Sequence, residues 1–302
     1  MNRPATGPTP PTAPVDAVTV ILVRDRLPGD RGAADTAGPA DTDAPTASAA
    51  GGTSDGLEVL LLERHGDSAF APGALVFPGG KLDPADADLP GDRWRCTDLG
   101  AWPGRLGVVD EDAAVALLVA AVRETFEESG VLLARHADGT QLHRRPLPEV
   151  GTAAVRARMA ARDGAEDWRS WLAGSDLVLD LDALAMWSWW VTPAGLPRRF
   201  DTRFLVAEMP PGQLASQDDV ETTSMRWIRP ADALRAHAEG SLHVIFPTRR
   251  TLEQLSVHAT AAAALHAAGT GAVDLRRIEP TVVMVGGQPM VQHPDGGPPA
   301  PV

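Results

Sequence analysis

Arg123-Glu124-Thr125-Phe126-Glu127-Glu128-Ser129-Gly130-Val131 is the stretch on which the fold turns. Read as a helix, it places Glu124, Glu127 and Glu128 at i, i+3 and i+4, so three carboxylates share one face. The acids sit near the helix C-terminus, where the macrodipole disfavours negative charge. A hard divalent cation resolves the conflict, because Mg²⁺ and Mn²⁺ prefer oxygen ligands and share them with substrate phosphates. Arg123, four residues before Glu127, can steady it by an ion pair. A solvated acidic helix end is the bland alternative. Val115, Leu118, Val119, Val122 and Phe126 follow helical spacing and mark the other face as core. Gly130 suits a C-cap, and a strand is expected to start at Val131.

Upstream, Phe77-Pro78-Gly79-Gly80-Lys81-Leu82-Asp83 has two glycines that let backbone approach a ligand, or simply form a tight turn. Residues 83–110 are polar and broken by Pro84, Pro90 and Pro103, as for a surface excursion or short helix. Strands are expected over 15–24, 57–64, 184–191, 197–207, 224–228 and 281–285. Helices are expected over 112–129, 147–162, 166–174, from Pro230 onward, and over 247–268. Residues 28–56 contain almost no large apolar side chain and suggest a long mobile loop inside the domain. Residues 1–14 and 286–302 suggest a disordered tail and a loose one. Trp187, Trp189 and Trp190 could stack an adenine, but core is favoured. Trp168 and Trp171 suggest packing.

Taken together, the segments resemble the Nudix hydrolase superfamily, whose box is G-x5-E-x7-R-E-U-x-E-E-x-G-U. Arg123 to Val131 resembles its second half, with Thr125 at an aliphatic position, and Gly80 starts the first. An uninterrupted box from Gly80 would end at 102, whereas this one ends at 131, leaving 29 inserted residues. Asp86 falls at the box's first Glu position. The split box, Phe70 to Gly80, Trp190-Val191-Thr192-Pro193 and Arg199-Phe200-Asp201-Thr202-Arg203-Phe204 resemble the branch that includes the peroxisomal coenzyme A diphosphatase of animals.

The resemblance implies an α/β fold: a Nudix-type α/β/α sandwich over 15–285, with a mixed β-sheet, extra helices and an insertion at 84–111. It implies metal-dependent hydrolysis of a nucleoside-diphosphate-linked substrate. Coenzyme A or acyl-coenzyme A is favoured over ADP-ribose, NAD(H) or dinucleoside polyphosphates. By motif position Glu124, Glu127 and Glu128 resemble the Mg²⁺ or Mn²⁺ ligands, Arg123 their support, and Gly79, Gly80 and Lys81 the loop at the diphosphate. Glu221, six residues before Trp227, resembles a further acid acting as base, with Asp218 and Asp219 as rivals. Arg64 is a candidate substrate contact. Arg199 and Arg203 share a strand face and suit phosphate recognition, or ion pairs with nearby acids.

Composition excludes other classes. A net charge of −13 leaves no basic face for nucleic acid. Cys96 is alone, so an internal disulfide framework or Cys-based zinc site is excluded, and an inert structural thiol is expected. The longest apolar run, residues 113–122, is too short to span a bilayer. With no leader and no Ser-Lys-Leu-type ending read from the chain, a cytoplasmic location follows, with a small-molecule nucleotide as partner and a homodimer left open. A nucleotide-sensing module without hydrolysis is disfavoured by the intact acids, and a carboxylate-bridged redox protein by the lack of a Glu-x-x-His repeat.

Overall fold

The computed structural model of the chain describes residues 12–26, 56–67, 71–161, 165–218 and 220–301. The expected tail over 1–14 and loop over 28–56 lie almost wholly outside these residues, as do Phe70 and Asp219.

The sheet is built from strands too apolar for a solvent-facing side. In β1 (Val15–Asp25), Val18, Val20 and Leu22 face one core while Ile21 and Val23 face another. In β2 (Leu57–Arg64), Leu60 and Leu62 join the first core, and Leu57, Val59 and Leu61 the second. Strands buried on both faces demand a covering layer on each side. Among the described residues β1 and β2 lie inside an eight-stranded sheet. Its further members are β3 (Leu75–Val76), β4 (Gly79–Lys81), β8 (Ala185–Val191), β9 (Phe200–Glu208), β10 (Thr222–Ile228) and β11 (Arg277–Ile278). The order is β10-β2-β1-β9-β8-β11, with β3 on β2 and β4 on β1. β1 runs parallel to β9 and antiparallel to β2 and β4, so the sheet is mixed.

One covering layer holds α1 (Trp102–Leu106), α2 (Glu111–Ser129), α3 (Glu149–Ala161) and α4 (Ala165–Ala173). The other holds α5 (Pro230–Ala238), α6 (Phe246–Leu255) and α7 (Ala261–Gly269). The expected α/β/α sandwich is therefore present. α2 starts at Asp110, whose side chain accepts from Ala113 N, and stops at Gly130, whose φ of 70° gives the left-handed cap. Phe126, on the side of α2 away from the acids, stacks on Trp171 at 5.4 Å between ring centroids and leans on Trp168 at 5.5 Å. These contacts fix the rotation of α2, and hence where its carboxylates point.

Several expectations need correction. The insertion does hold a short helix, α1, as one reading expected, but it is no surface excursion: Leu89, Trp102 and Leu106 are buried in the α2 core. It also supplies β5 (Trp94–Arg95), which joins β6 (Ala134–His136) and β7 (Leu177–Asp180) in a second sheet of order β5-β7-β6. The strand expected at Val131 begins at Ala134. The helix expected over 247–268 is two helices, because the Thr260 hydroxyl accepts from Ala263 N and starts a new one. The C-terminal residues are not a loose tail. β12 (Thr281–Val285) and β13 (Gln288–Gln292) form a hairpin, and β14 (Ala300–Pro301) pairs with β13. The turn is Gly286-Gly287, with φ of 60° and 84°, the left-handed pair that suits a two-residue hairpin. Val291 is buried, and His293 packs against Trp190 and Phe246.

Candidate active site

The last turns of α2 lie against β4, and two glycines set that spacing. A Cβ on Gly79, at φ 158°, would collide with the Val18 carbonyl oxygen of β1. A Cβ on Gly80 would collide with the Glu124 carboxylate. The backbone therefore comes close enough for Gly79 N to donate to Glu128 Oε2 at 2.8 Å. Glu128 is buried, while the side chains of Glu124 and Glu127 stay 13% and 14% exposed on the same helix face.

Arg123 lies under these acids and is itself buried. Its Nε and Nη2 donate to Asp86 at 2.7 and 2.8 Å, its Nη1 to Glu124 at 2.9 Å, and its Nη2 also to the Lys81 carbonyl at 3.1 Å. Glu127 is a more distant partner at 3.7 Å. The expected i, i+4 pair is thus present but secondary, and the main work of Arg123 is to orient Glu124. Burial opposes the Arg123 charge, yet the hydrogen bond to Asp86 and the charges of Glu124 and Asp86 raise its pKa.

One guanidinium does not neutralise this cluster. Burial, reinforced by the Glu124 charge, pushes Glu127 up to about 8. Burial and the Glu124 charge raise Glu128 well above the usual carboxylate range, against the Gly79 hydrogen bond. Burial also raises Glu124, although Arg123 opposes it. Three crowded carboxylates that resist ionisation are a hard-oxygen donor set in need of positive charge. A divalent cation fits that chemistry. Among the described residues no group of three or more His, Cys, Asp or Glu side chains is by itself arranged to hold a metal ion.

Beside the carboxylates, Arg64, His65, Asp67, Val220 and Glu221 line an open cleft of about 330 Å³. Glu221 is half exposed, lies 3.9 Å from Arg64, and adds its charge to those raising Glu124, Glu127 and Glu128. Asp218 is spent differently. Its carboxylate accepts from the backbone N–H of Val220, Glu221 and Thr222 and from the Thr222 hydroxyl, which closes the turn. Asp219 is outside the described residues. Lys81 exposes its side chain at the end of β4.

Arg199 and Arg203 need correction. Arg203 is 4% exposed, paired with Asp16 at 2.5 Å and Asp201 at 3.1 Å, bonded to the Leu106 carbonyl, and laid over the Trp189 ring. Arg199 is buried, with Glu279 at 2.5 Å and the Thr12 and Thr192 carbonyls as further acceptors. Buried cations carry their own acids, and these two are enclosed rather than offered to a phosphate.

The family model described as the NUDT19 Nudix domain matches residues 107–255. The chain is 34% identical over 215 residues to the human protein named acyl-coenzyme A diphosphatase NUDT19, covering 59% of this chain and 55% of that one. It is 28% identical over 230 residues to the Xenopus laevis protein of the same name, covering 67% and 60%. A solved Nudix hydrolase from Alicyclobacillus acidocaldarius superposes with a TM-score of 0.62 at 27% identity, covering 84% of this chain and 96% of that chain.

Over residues 107–255 the chain resembles the Nudix domain.

It spans between half and two thirds of the length of the curated relatives just described. The box-like motif is divided in sequence and continuous in space. Asp86, at the first acid position, meets Arg123 of the second half directly. Sequence reasoning missed Arg156, Gln213 and Ser216, which tie the Nudix helix to the loop before Glu221. The only available signal was general: carbonyls at a helix C-terminus need donors, a requirement that names no residue.

Proposed function

We propose that this chain hydrolyses a nucleoside-diphosphate-linked substrate at the diphosphate, with coenzyme A or an acyl-coenzyme A as the preferred class. The observation that carries the reading is the largely enclosed, glycine-backed carboxylate cluster of Glu124, Glu127 and Glu128, set beside a cleft lined by Arg64, Asp67 and Glu221. The names of the human and Xenopus laevis relatives support the choice of substrate.

Glu124, Glu127 and Glu128 would hold Mg²⁺ or Mn²⁺, which supplies positive charge to the diphosphate oxygens and acidifies bound water. Arg123 and the Gly79 N–H hold two of these carboxylates in fixed orientations before substrate arrives. Arg64 is placed to bind a phosphate oxygen at the cleft wall. Glu221 takes the proton from the attacking water as the new O–P bond forms. The bridging P–O bond breaks, and its electron pair leaves with the second phosphate. Asp218 keeps Glu221 in place through the turn. Val220, half exposed beside Glu221, offers an apolar contact to a non-nucleotide part of the substrate. ADP-ribose, NAD(H) and dinucleoside polyphosphates present the same diphosphate and form the second reading.

Among the described residues no helix is long and apolar enough to cross a membrane. A cytoplasmic location accords with this and with the single cysteine.

The test is a panel of coenzyme A, acyl-coenzyme A, 3′-dephospho-coenzyme A, ADP-ribose, NADH and dinucleoside polyphosphates, with Mg²⁺ or Mn²⁺ and products identified by mass. Adenosine 3′,5′-bisphosphate and a phosphopantetheine are expected from coenzyme A. Faster turnover of ADP-ribose or NADH would replace the substrate class. No turnover of any diphosphate would overturn the reading.

A further inference from the structure

The helix that carries the acids ends with its carbonyls toward the site, which adds negative potential where negative charge is already crowded. One side chain from another element answers this. Arg156, on α3, donates from Nε to the Glu127 carbonyl at 2.8 Å and from Nη2 to the Glu128 carbonyl at 2.9 Å. The same guanidinium donates from Nη2 to the Ser216 carbonyl and from Nη1 to the Ser216 hydroxyl, each at 2.6 Å. Ser216 N in turn donates to the Ser129 carbonyl at 2.9 Å. Three residues earlier, Gln213 brackets Leu132, accepting from its N–H and donating to its carbonyl, both at 2.8 Å. Gly130 leaves room for this arrangement, since a Cβ there would lie 3.0 Å from Arg156 Nη1 and 3.2 Å from Ser216 Oγ.

The segment so tied is the one that leads through the Asp218 turn to Glu221. We propose that Arg156 is a positioning residue that locks the Glu221 loop onto the carboxylate end of the Nudix helix, so that metal ligands and proton acceptor keep one geometry. The inference rests on the metal-dependent reading above. Arg156 acts through the backbone carbonyls and the Ser216 hydroxyl that it holds. A planar fork is required, because three separate carbonyls and one hydroxyl are reached from a single side chain. A lysine ammonium is a point donor and cannot span them.

The test uses the full chain with Arg156→Ala and Arg156→Lys. In metal-free protein, amide exchange at Ser216 and Leu132 should accelerate in both variants while the central strands stay protected. Mn²⁺ affinity, measured by titration without substrate, should weaken about 10- to 100-fold, the usual effect of losing an outer-shell partner. On the turned-over substrate, kcat should fall with KM little changed, and added methylguanidinium should restore part of it in Arg156→Ala. Wild-type exchange together with wild-type Mn²⁺ affinity in Arg156→Ala would overturn the proposal. If Arg156→Ala does not fold, Gln213→Ala decides, with faster exchange at Leu132 and weaker Mn²⁺ binding expected and unchanged values overturning it. If the wild type binds Mn²⁺ yet hydrolyses nothing in the panel, the functional reading falls, while exchange and affinity still decide the role of Arg156.

Discussion

Arg123 and Asp86, 37 positions apart, form a two-bond ion pair at 2.7 and 2.8 Å that closes the divided motif. The pair makes Asp86 a structural partner of the metal helix rather than a metal ligand. Asp86→Asn should weaken the two-bond pair while Glu124 still accepts from Arg123, a loss on the order of 1–3 kcal/mol. Urea unfolding monitored by tryptophan fluorescence would measure it, and a midpoint equal to wild type would contradict the assignment.

Glu127→Gln and Glu128→Gln should both fold and both lose nearly all turnover. Above about pH 8, where Glu127 is ionised in the folded chain, Glu127→Gln removes a crowded negative charge and should raise the melting temperature of the metal-free protein. Full activity in either folded variant, or activity undiminished by excess chelator, would remove these residues from the metal site.

The two glycines should respond differently. Gly79→Ala places a methyl group against the rigid backbone of β1 and should cost stability. Gly80→Ala meets the Glu124 side chain first, so it should displace that carboxylate and cut kcat with a smaller loss of melting temperature. Thermal unfolding and initial rates on the same two proteins test the contrast, and equal effects on both quantities would refute it.

Metal-free stability should depend on pH in a set direction. Glu127 titrates near 8 in the folded chain, against 4.5 for an ordinary glutamate. Between those values the folded state holds more protons than the unfolded state, so stability falls as pH rises through that window. The melting temperature should drop from about pH 5 to about pH 8. Mg²⁺ competes with protons for these carboxylates, so it should stabilise more at the higher pH. An equal Mg²⁺ effect at both ends would argue against binding at this cluster.

Glu221→Gln should lower kcat by about 10²–10⁴-fold with little change in KM or melting temperature, as for loss of a general base. Asp218→Asn should instead lower the melting temperature, because the Asp218 carboxylate holds the turn. Arg203→Ala should destabilise without altering the ratio of kcat/KM for coenzyme A and its 3′-dephospho form. A change in that ratio would return Arg203 to substrate recognition.

How much of this was legible depended on the range of the cause. The three carboxylates, the Gly130 cap and the buried face of α2 follow from spacing within one helix, and the structure has them where expected. Gly79 and Gly80 could be read as close-approach residues, although what they approach, the Val18 carbonyl and Glu124, depends on tertiary placement. Arg203 lies in β9, but Arg199 precedes it, and Asp16, Asp201 and Glu279 take up their donors. The insertion was unreadable because its few apolar residues, Leu89, Trp102 and Leu106, become core only when α2 and the second sheet surround them. The Gly286-Gly287 hairpin was a local signal that was available and overlooked.

The parallel pairing of β1 with β9, which sets Val15 beside Phe200, has a consequence for biosynthesis. β1 leaves the ribosome long before the strand that will flank it exists, and at about 5–20 residues per second the wait is on the order of ten seconds or more. During that interval β1 exposes Val18, Val20, Ile21, Leu22 and Val23, an apolar and mostly β-branched run suited to pairing with another nascent chain. Yield of the native protein in cells should therefore be sensitive to translation speed and chaperone supply before it is sensitive to the stability of the finished fold.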